Sequence, residues 1–240
     1  MLDKNYQKVI YKLQNWIQDK VESAGCQGAV VGLSGGIDSS VTAVLSKMAF
    51  PKRTLGLIMP CESNSQDRRD AQLVADEFDI DYEIVDLNNT LNTLLSAVDN
   101  FDDKMPKANI KPRLRMTVLY YYGQLRNSLV IGTDNRSELK LGYFTKHGDG
   151  GIDLAPMGNL VKTEVREVAK LLEIPNRIIN KAPSAGLWAD QTDESELGLS
   201  YEEIDRYILT GEADEQVKRK VESLAEENSH KLQLPPIPEF

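Results

Sequence analysis

Apolar and polar positions along this chain follow two periods, one helical and one extended. Leu2, Tyr6, Val9, Ile10, Leu13, Trp16, Ile17 and Val21 recur at three- and four-residue spacing, and the stripe stops near Gly25. It predicts an amphipathic first helix that turns the stripe, Trp16 included, toward the core. Short apolar runs at 29–33, 54–59, 82–87 and 128–132 read as buried strands. Between them, residues 41–48, 67–78 and 90–98 carry helical patterns, and 99–111 reads as a polar connection. Pro112 fits the first turn of a long helix over 113–126. Strands alternating with helices predict a doubly wound α/β fold, its mainly parallel sheet covered by helices on both faces.

The C-terminal half has more helices and loops. Residues 142–153 are rich in glycine and charge, which marks a working loop rather than a spacer. Residues 163–172 form an amphipathic helix with Lys162 at its start, where a cation opposes the helix dipole unless an anion neutralises it. A turn-rich stretch over 183–195 reads as a lid at 183–194. Helices follow at 200–209, opened by a Ser200/Glu203 capping box, and at 213–228. The acidic run 194–203 reads as a solvated face. With no repeat or linker, residues 1–240 read as a single domain.

Composition narrows the function. The net charge of −9 argues against a nucleic-acid or membrane surface, so an anionic substrate must be met by local cations. Cys26 and Cys61 form no CxxC pair and read as packing residues in a reducing compartment. No apolar stretch approaches a membrane span, and residues 1–20 do not resemble a signal peptide. A cytoplasmic location is expected.

The candidate chemistry centres on Gly32, Leu33, Ser34, Gly35, Gly36, Ile37, Asp38 and Ser39, between the first strand and the second helix. Gly35 and Gly36 can take positive φ, and the helix N-terminus offers free N–H groups to a phosphate. Ser34, Ser39 and Ser40 add hydroxyls. Asp38 cannot hold a phosphate, so an acid here suggests a bridging divalent cation. A Walker loop would need Gly-Lys-Ser/Thr, and a Gly-x-Gly-x-x-Gly fingerprint does not fit the spacing. Glu138 in Gly132-Thr-Asp-Asn-Arg-Ser-Glu138 sits where a fourth strand would end. Alone it reads as a helix-start acid; beside the loop it can join Asp38 on Mg²⁺. His147 reads as a surface residue.

Ser34-Gly-Gly-Ile-Asp-Ser39 resembles the pyrophosphate loop of the N-type ATP pyrophosphatases. With Asn109-Ile-Lys-Pro-Arg-Leu-Arg-Met116, Gly142-Tyr-Phe-Thr-Lys-His-Gly-Asp149, Lys181-Ala-Pro-Ser-Ala-Gly-Leu-Trp188 and Asp193-Glu-Ser-Glu-Leu-Gly198, nearly the whole chain resembles the ammonia-dependent NAD synthetases. The resemblance implies an adenine nucleotide alpha hydrolase-like fold. It also implies a reaction that amidates deamido-NAD with ammonia while ATP goes to AMP and pyrophosphate. It implies Mg²⁺ on Asp38 and Glu138, and ATP on residues 32–39, Thr133, Lys162 and Ser184. Deamido-NAD would meet Arg113, Lys146, Asp153, His230 and Lys231. Lys162, Asp149 and Ser184 would carry the chemistry, with Asp149 positioning or deprotonating ammonium, and a homodimer is implied. Ser184 replaces the family's threonine and keeps its hydroxyl. Pro112 and Leu232 also depart from the usual pattern. A tRNA sulfurtransferase lacks support without paired cysteines, and a GMP synthetase would normally bring a dimerisation domain. A non-catalytic nucleotide-binding module would show erosion at Asp38, Glu138 or Lys162, and all three are present.

Overall fold

The computed structural model describes residues 4–98, 103–184, 186 and 191–239. Asn5 caps the first helix, α1 (Tyr6–Ser23), its side chain accepting from the Lys8 amide at 3.0 Å. Ile10, Ile17 and Val21 are buried, but Trp16 is 36% exposed, contrary to the sequence expectation. The apolar stripe is wider than the surface it covers, and the tryptophan falls on its rim.

Strand β1 (Gly28–Gly32) leads into α2 (Ile37–Ala49), β2 (Thr54–Ile58) into α3 (Ser65–Glu77), and β3 (Asp81–Ile84) into α4 (Asn88–Ala97). Next come α5 (Lys104–Leu125), β4 (Ser128–Ile131) and α6 (Arg136–Leu141). All strand pairs are parallel, in the order β3-β2-β1-β4. Alternation along the strands sorts two cores. Val30, Leu55 and Leu57 face Leu91 of α4 and the apolar side of α5. Ala29, Val31, Ile58 and Ile131 face the buried sides of α1, α2 and α3. The doubly wound α/β reading therefore holds, and the sheet is wholly parallel.

The remaining helices are α7 (Lys162–Leu171), α8 (Asn176–Ile179), α9 (Asp193–Leu197), α10 (Tyr201–Thr210) and α11 (Glu215–Glu227), followed by a 3-10 turn, Ser229–Lys231. Val165 and Val168 of α7 join the core beside α1 and α2. Leu141, Leu197, Tyr201, Ile204, Val217 and Val221 bury a smaller cluster among α6, α9, α10 and α11. Asp193–Leu197 is helical where the turn-rich sequence predicts a continuing loop, because Thr192 caps it, accepting from the Ser195 amide at 3.2 Å. Residues 185 and 187–190 of the expected lid lie outside the described residues.

One larger correction concerns α5. It begins at Lys104, so much of the expected polar connection is helix and Pro112 lies in the helix interior. Asp103 starts it, accepting from the Met105 amide at 3.1 Å, and Pro106 falls in the first turn, where a missing N–H costs little. The polar sequence hid a buried position, since Lys111 is only 4% exposed and pairs with Glu62 at 2.9 Å. Pro112 forgoes one intrahelical hydrogen bond and is itself buried. Replacing the cap, Asp103→Ala, is expected to lower stability by about 1 kcal/mol in urea denaturation. An unchanged midpoint would move the start of α5 downstream.

Candidate active site

β1 and β4 are adjacent although their crossovers leave toward opposite edges of the sheet. A crevice therefore opens at their carboxyl ends, where ligands of open α/β sheets bind. A cavity of about 890 Å³ fills it. Its lining includes Gly32, Leu33, Ser34, Gly36, Ile37, Asp38 and Ser39 from the loop after β1, and Thr133 and Glu138 from the segment after β4. Asp149, Lys162, Ser184 and Lys231 also line it. The structure thus brings together residues separated by up to two hundred positions.

In the loop, Gly35 takes φ +78°, and a Cβ there would come within 2.3 Å of the Asp67 carbonyl oxygen. Gly36 is extended at φ −95°, so only one of the two glycines uses the left-handed region. The first bond inside α2 runs from the Ser40 amide to the Gly36 carbonyl at 3.1 Å. The amides of Ile37, Asp38 and Ser39 precede it and find no carbonyl within the helix. Ser34 and Ser39 hydroxyls lie 2.9 Å apart at the mouth. Ser39 and Ser40 are both buried and donate to the Gly36 carbonyl at 3.0 and 2.8 Å, so both hydroxyls also serve the helix start.

The centre of the crevice is an ion triad. Lys162 Nζ donates to Asp38 Oδ2 at 2.5 Å and to Glu138 Oε1 at 3.0 Å, with the lysine side chain 3% exposed. Glu138 has a second duty. Its Oε2 accepts from the Asn135 amide at 3.1 Å, closing a capping box on α6. The helix-start reading of Glu138 holds through Oε2, while Oε1 meets Asp38 only across the Lys162 ammonium. Asn135 is fully buried; it caps α6 with Oδ1 and donates from Nδ2 to Asp38 Oδ1 at 3.0 Å.

Burial and opposing charge compete over these groups. Burial pushes the Glu138 carboxyl up to about 7, with Asp38 adding repulsion and Lys162 opposing the rise. Burial alone would lower the Lys162 ammonium, but Asp38 and Glu138 outweigh it and hold its pKa above the ordinary value. We take Lys162 as charged and Glu138 as the weak acid of the triad, since one cation faces two anions.

The residues expected to meet a dinucleotide divide. Arg113 Nη2 donates to the Lys146 carbonyl at 3.2 Å, and Lys146 Nζ donates to the His230 carbonyl at 2.6 Å. Lys231 Nζ donates to the carbonyls of Gly142 and Phe144 at 2.7 and 3.0 Å. These four form one connected rim joining α5, the 142–153 loop and the 3-10 turn, and of them Lys231 alone lines the cavity. Asp153 lies apart, accepting from Tyr120 Oη at 3.0 Å and from the Val130 amide at 2.8 Å. Tyr120 is two helical turns, about 10 Å, along α5 from Arg113. Asp149 faces the water of the cavity while protein surrounds it, and accepts from the Thr145 amide at 2.9 Å. Burial raises its carboxyl above the ordinary value. Ser184 Oγ accepts from the Gly186 amide at 3.1 Å.

Sequence reasoning missed four participants, the buried Asn135 among them. Lys181 Nζ donates to the Gly35 carbonyl at 3.2 Å, to Asp67 at 2.7 Å and to Asp70 at 3.0 Å, clamping the loop to α3. Asp70, 3% exposed, also accepts from Gln66 and Arg177. Asp134 is 4% exposed, and its Oδ2 finds no partner among the described residues. Burial raises its carboxyl well above the ordinary value, and Asp149, Glu138 and Asp38 add to the rise. Asn135, Lys181 and Asp134 stood inside the quoted segments, but a turn composition gives no sign of which side chains point inward.

A family model described as NAD synthase matches residues 9–235. The chain belongs to the NAD synthase family. It is 49% identical to the NH(3)-dependent NAD(+) synthetase of Carboxydothermus hydrogenoformans, the match covering 98% of each chain. The synthetase of the same name from Syntrophomonas wolfei is 45% identical over 97% of this chain and 96% of that one. Among solved structures, NMN synthetase from Francisella tularensis matches with TM-score 0.96 and 38% identity, over 99% of this chain and 100% of that one. The NH3-dependent NAD synthetase from Campylobacter jejuni matches at 0.83 and 33%, over 98% and 100%.

The raised Glu138 acidity carries a stability signature. The folded chain binds this proton near pH 7, whereas the ordinary value is 4.5. Between those values the native state holds more protons, so this contribution is full below the lower one and is lost as pH rises through the upper. Glu138→Gln is expected to flatten the fall in denaturant midpoint between about pH 4.5 and about pH 7. Equal slopes in both proteins would remove the assignment.

Proposed function

We propose that this chain amidates the nicotinate carboxylate of deamido-NAD with ammonia, converting ATP to AMP and pyrophosphate. A carboxylate is a poor electrophile because oxide is a poor leaving group. Attack of the carboxylate oxygen on the α-phosphorus expels pyrophosphate and leaves a mixed anhydride. Ammonia then adds to the carbonyl carbon, and AMP departs with the former carboxylate oxygen. The observation that carries this reading is the buried Lys162 ammonium beside the amides that open α2. It supplies fixed positive charge where two anions must approach, at no reorganisation cost during the reaction.

In this reading residues 32–39 receive the β- and γ-phosphates, while Thr133 and Ser184 offer hydroxyls. The Arg113, Lys146, His230 and Lys231 rim receives the dinucleotide, and Asp153 marks its far reach along α5. Asp149 positions ammonium or takes its proton, as a carboxyl of raised affinity for protons is suited to do. Among the described residues no three acidic, histidine or cysteine side chains converge as a metal cluster. Asp38 and Glu138 nevertheless turn toward one point. Two carboxylates suffice for Mg²⁺, which keeps waters and phosphate oxygens as its other ligands. Bound there, Mg²⁺ would neutralise phosphate charge and act as a Lewis acid.

The family resemblance extends the proposal to a single catalytic unit over 1–240, and to a homodimer in the cytoplasm. Among the described residues no helix is long and apolar enough to cross a membrane. A second acceptor is favoured by one observation, the likeness to the Francisella NMN synthetase. A mononucleotide with the same nicotinate carboxylate would need less of the outer rim.

The deciding experiment supplies purified protein with ATP, Mg²⁺, ammonium and either deamido-NAD or nicotinate mononucleotide, omitting each component in turn. NAD, AMP and pyrophosphate appearing together only in the complete dinucleotide mixture is the expected result. Preference for the mononucleotide would install the second reading, and AMP formation with neither would remove both. Asp38→Ala is expected to abolish pyrophosphate release. Lys162→Ala should slow it by about 100-fold or more while leaving the dinucleotide Kd within about threefold. Equal losses in both would end the assignment of Lys162 to the adenylation step.

A further inference from the structure

Lys162 begins α7, a place where the helix field repels a cation, and its side chain has four rotatable bonds with which to avoid the triad. The restraint comes from α10. Residues four apart share a helix face, and on α10 two such residues, Tyr201 and Asp205, are 0% and 2% exposed. The Lys162 ammonium lies over the Tyr201 ring, 4.9 Å from its centroid. The Tyr201 hydroxyl donates to Asp193 Oδ2 at 3.1 Å, and its amide donates to Glu194 Oε1 at 2.9 Å. The ring is thereby fixed at both ends to α9.

Asp205 acts on the backbone of the same lysine. Its Oδ2 accepts from the Thr163 amide at 2.7 Å, and its Oδ1 accepts from the Ser137 hydroxyl at 2.5 Å. Ser137 Oγ accepts in turn from the Lys162 amide at 3.2 Å. The N-cap of α7 is Val161, whose side chain has no oxygen to offer, so α10 and α6 provide the cap from outside. An anion at this helix start also offsets the dipole that Lys162 opposes.

We propose that Tyr201 and Asp205 are positioning residues for Lys162, holding its ammonium between Asp38 and Glu138 from a helix that does not line the cavity. The ring packs against the ammonium that the two carboxylates hold, and the carboxylate of Asp205 fixes the main chain from which the lysine extends. This rests on the reading that Lys162 serves the adenylation step.

The test is a double-mutant cycle read by single-turnover pyrophosphate release. Tyr201→Leu is expected to slow release by about tenfold or more with the ATP Kd within about threefold, and Tyr201→Phe, which keeps the ring, to retain most of the rate. In a Lys162→Ala background, Tyr201→Leu should add no further loss. Additive losses would mean a general packing role and overturn the proposal. If Tyr201→Leu does not fold, Asp205→Asn runs the same cycle, and additivity or its absence is read in the same way. If Lys162→Ala alone leaves pyrophosphate release untouched, the functional reading of Lys162 falls, and positioning is then judged by crystallography. An ammonium displaced from Asp38 and Glu138 in Tyr201→Leu or Asp205→Asn would support it; an undisplaced one would overturn it.

Discussion

The structure depends on keeping one lysine charged in a nearly dry place. Removing Lys162, Asp38 and Glu138 from water costs several kcal/mol for each ion. At about 3 Å and an effective dielectric of about 20, each contact returns about 5 kcal/mol, so two contacts roughly offset three burials. The triad is therefore a poor source of fold stability. What it provides is a fixed charge whose neighbours are already oriented. The capping box of α6, the buried Asn135 and the start of α7 all converge to hold those neighbours in place.

The topology explains how three distant segments reach that point. Asp38 follows β1, Glu138 follows β4, and Lys162 opens α7 after the chain has crossed back through the parallel bridge between Ile131 and Leu154. Because β1 and β4 are neighbours in the sheet, their two following segments must face each other. The sheet itself is ordinary, with alternate residues feeding two cores. The loops at its carboxyl edge are where polar groups take their partners from other segments.

Most of this was readable because periodicity and punctuation are local. Four apolar runs became four strands, Ser200 and Glu203 formed the capping box their spacing demanded, and the loop after β1 was marked by its glycines. The dipole conflict at Lys162 correctly called for an anion, which Asp38 and Glu138 supply. The errors were non-local. The polar stretch that opens α5 hid a buried position, since Lys111 pairs with Glu62, far back in the chain. Asn135, Asp134 and Lys181 sit in turn-forming sequence, where nothing nearby distinguishes an inward side chain from a solvated one. Tyr201 has no local mark, because the cation over its ring lies on a different element.

The contact between Lys231 and the carbonyls of Gly142 and Phe144 spans 89 and 87 positions. It closes the rim from a segment synthesised long after the phosphate loop. On the ribosome, β1 to β4 can pair and bury both cores while the rim residues past 228 are still unmade. The nascent domain would thus present a folded sheet with its glycine loop before the Lys231 contacts can form. Assembly order separates the acquisition of shape from the acquisition of a complete site.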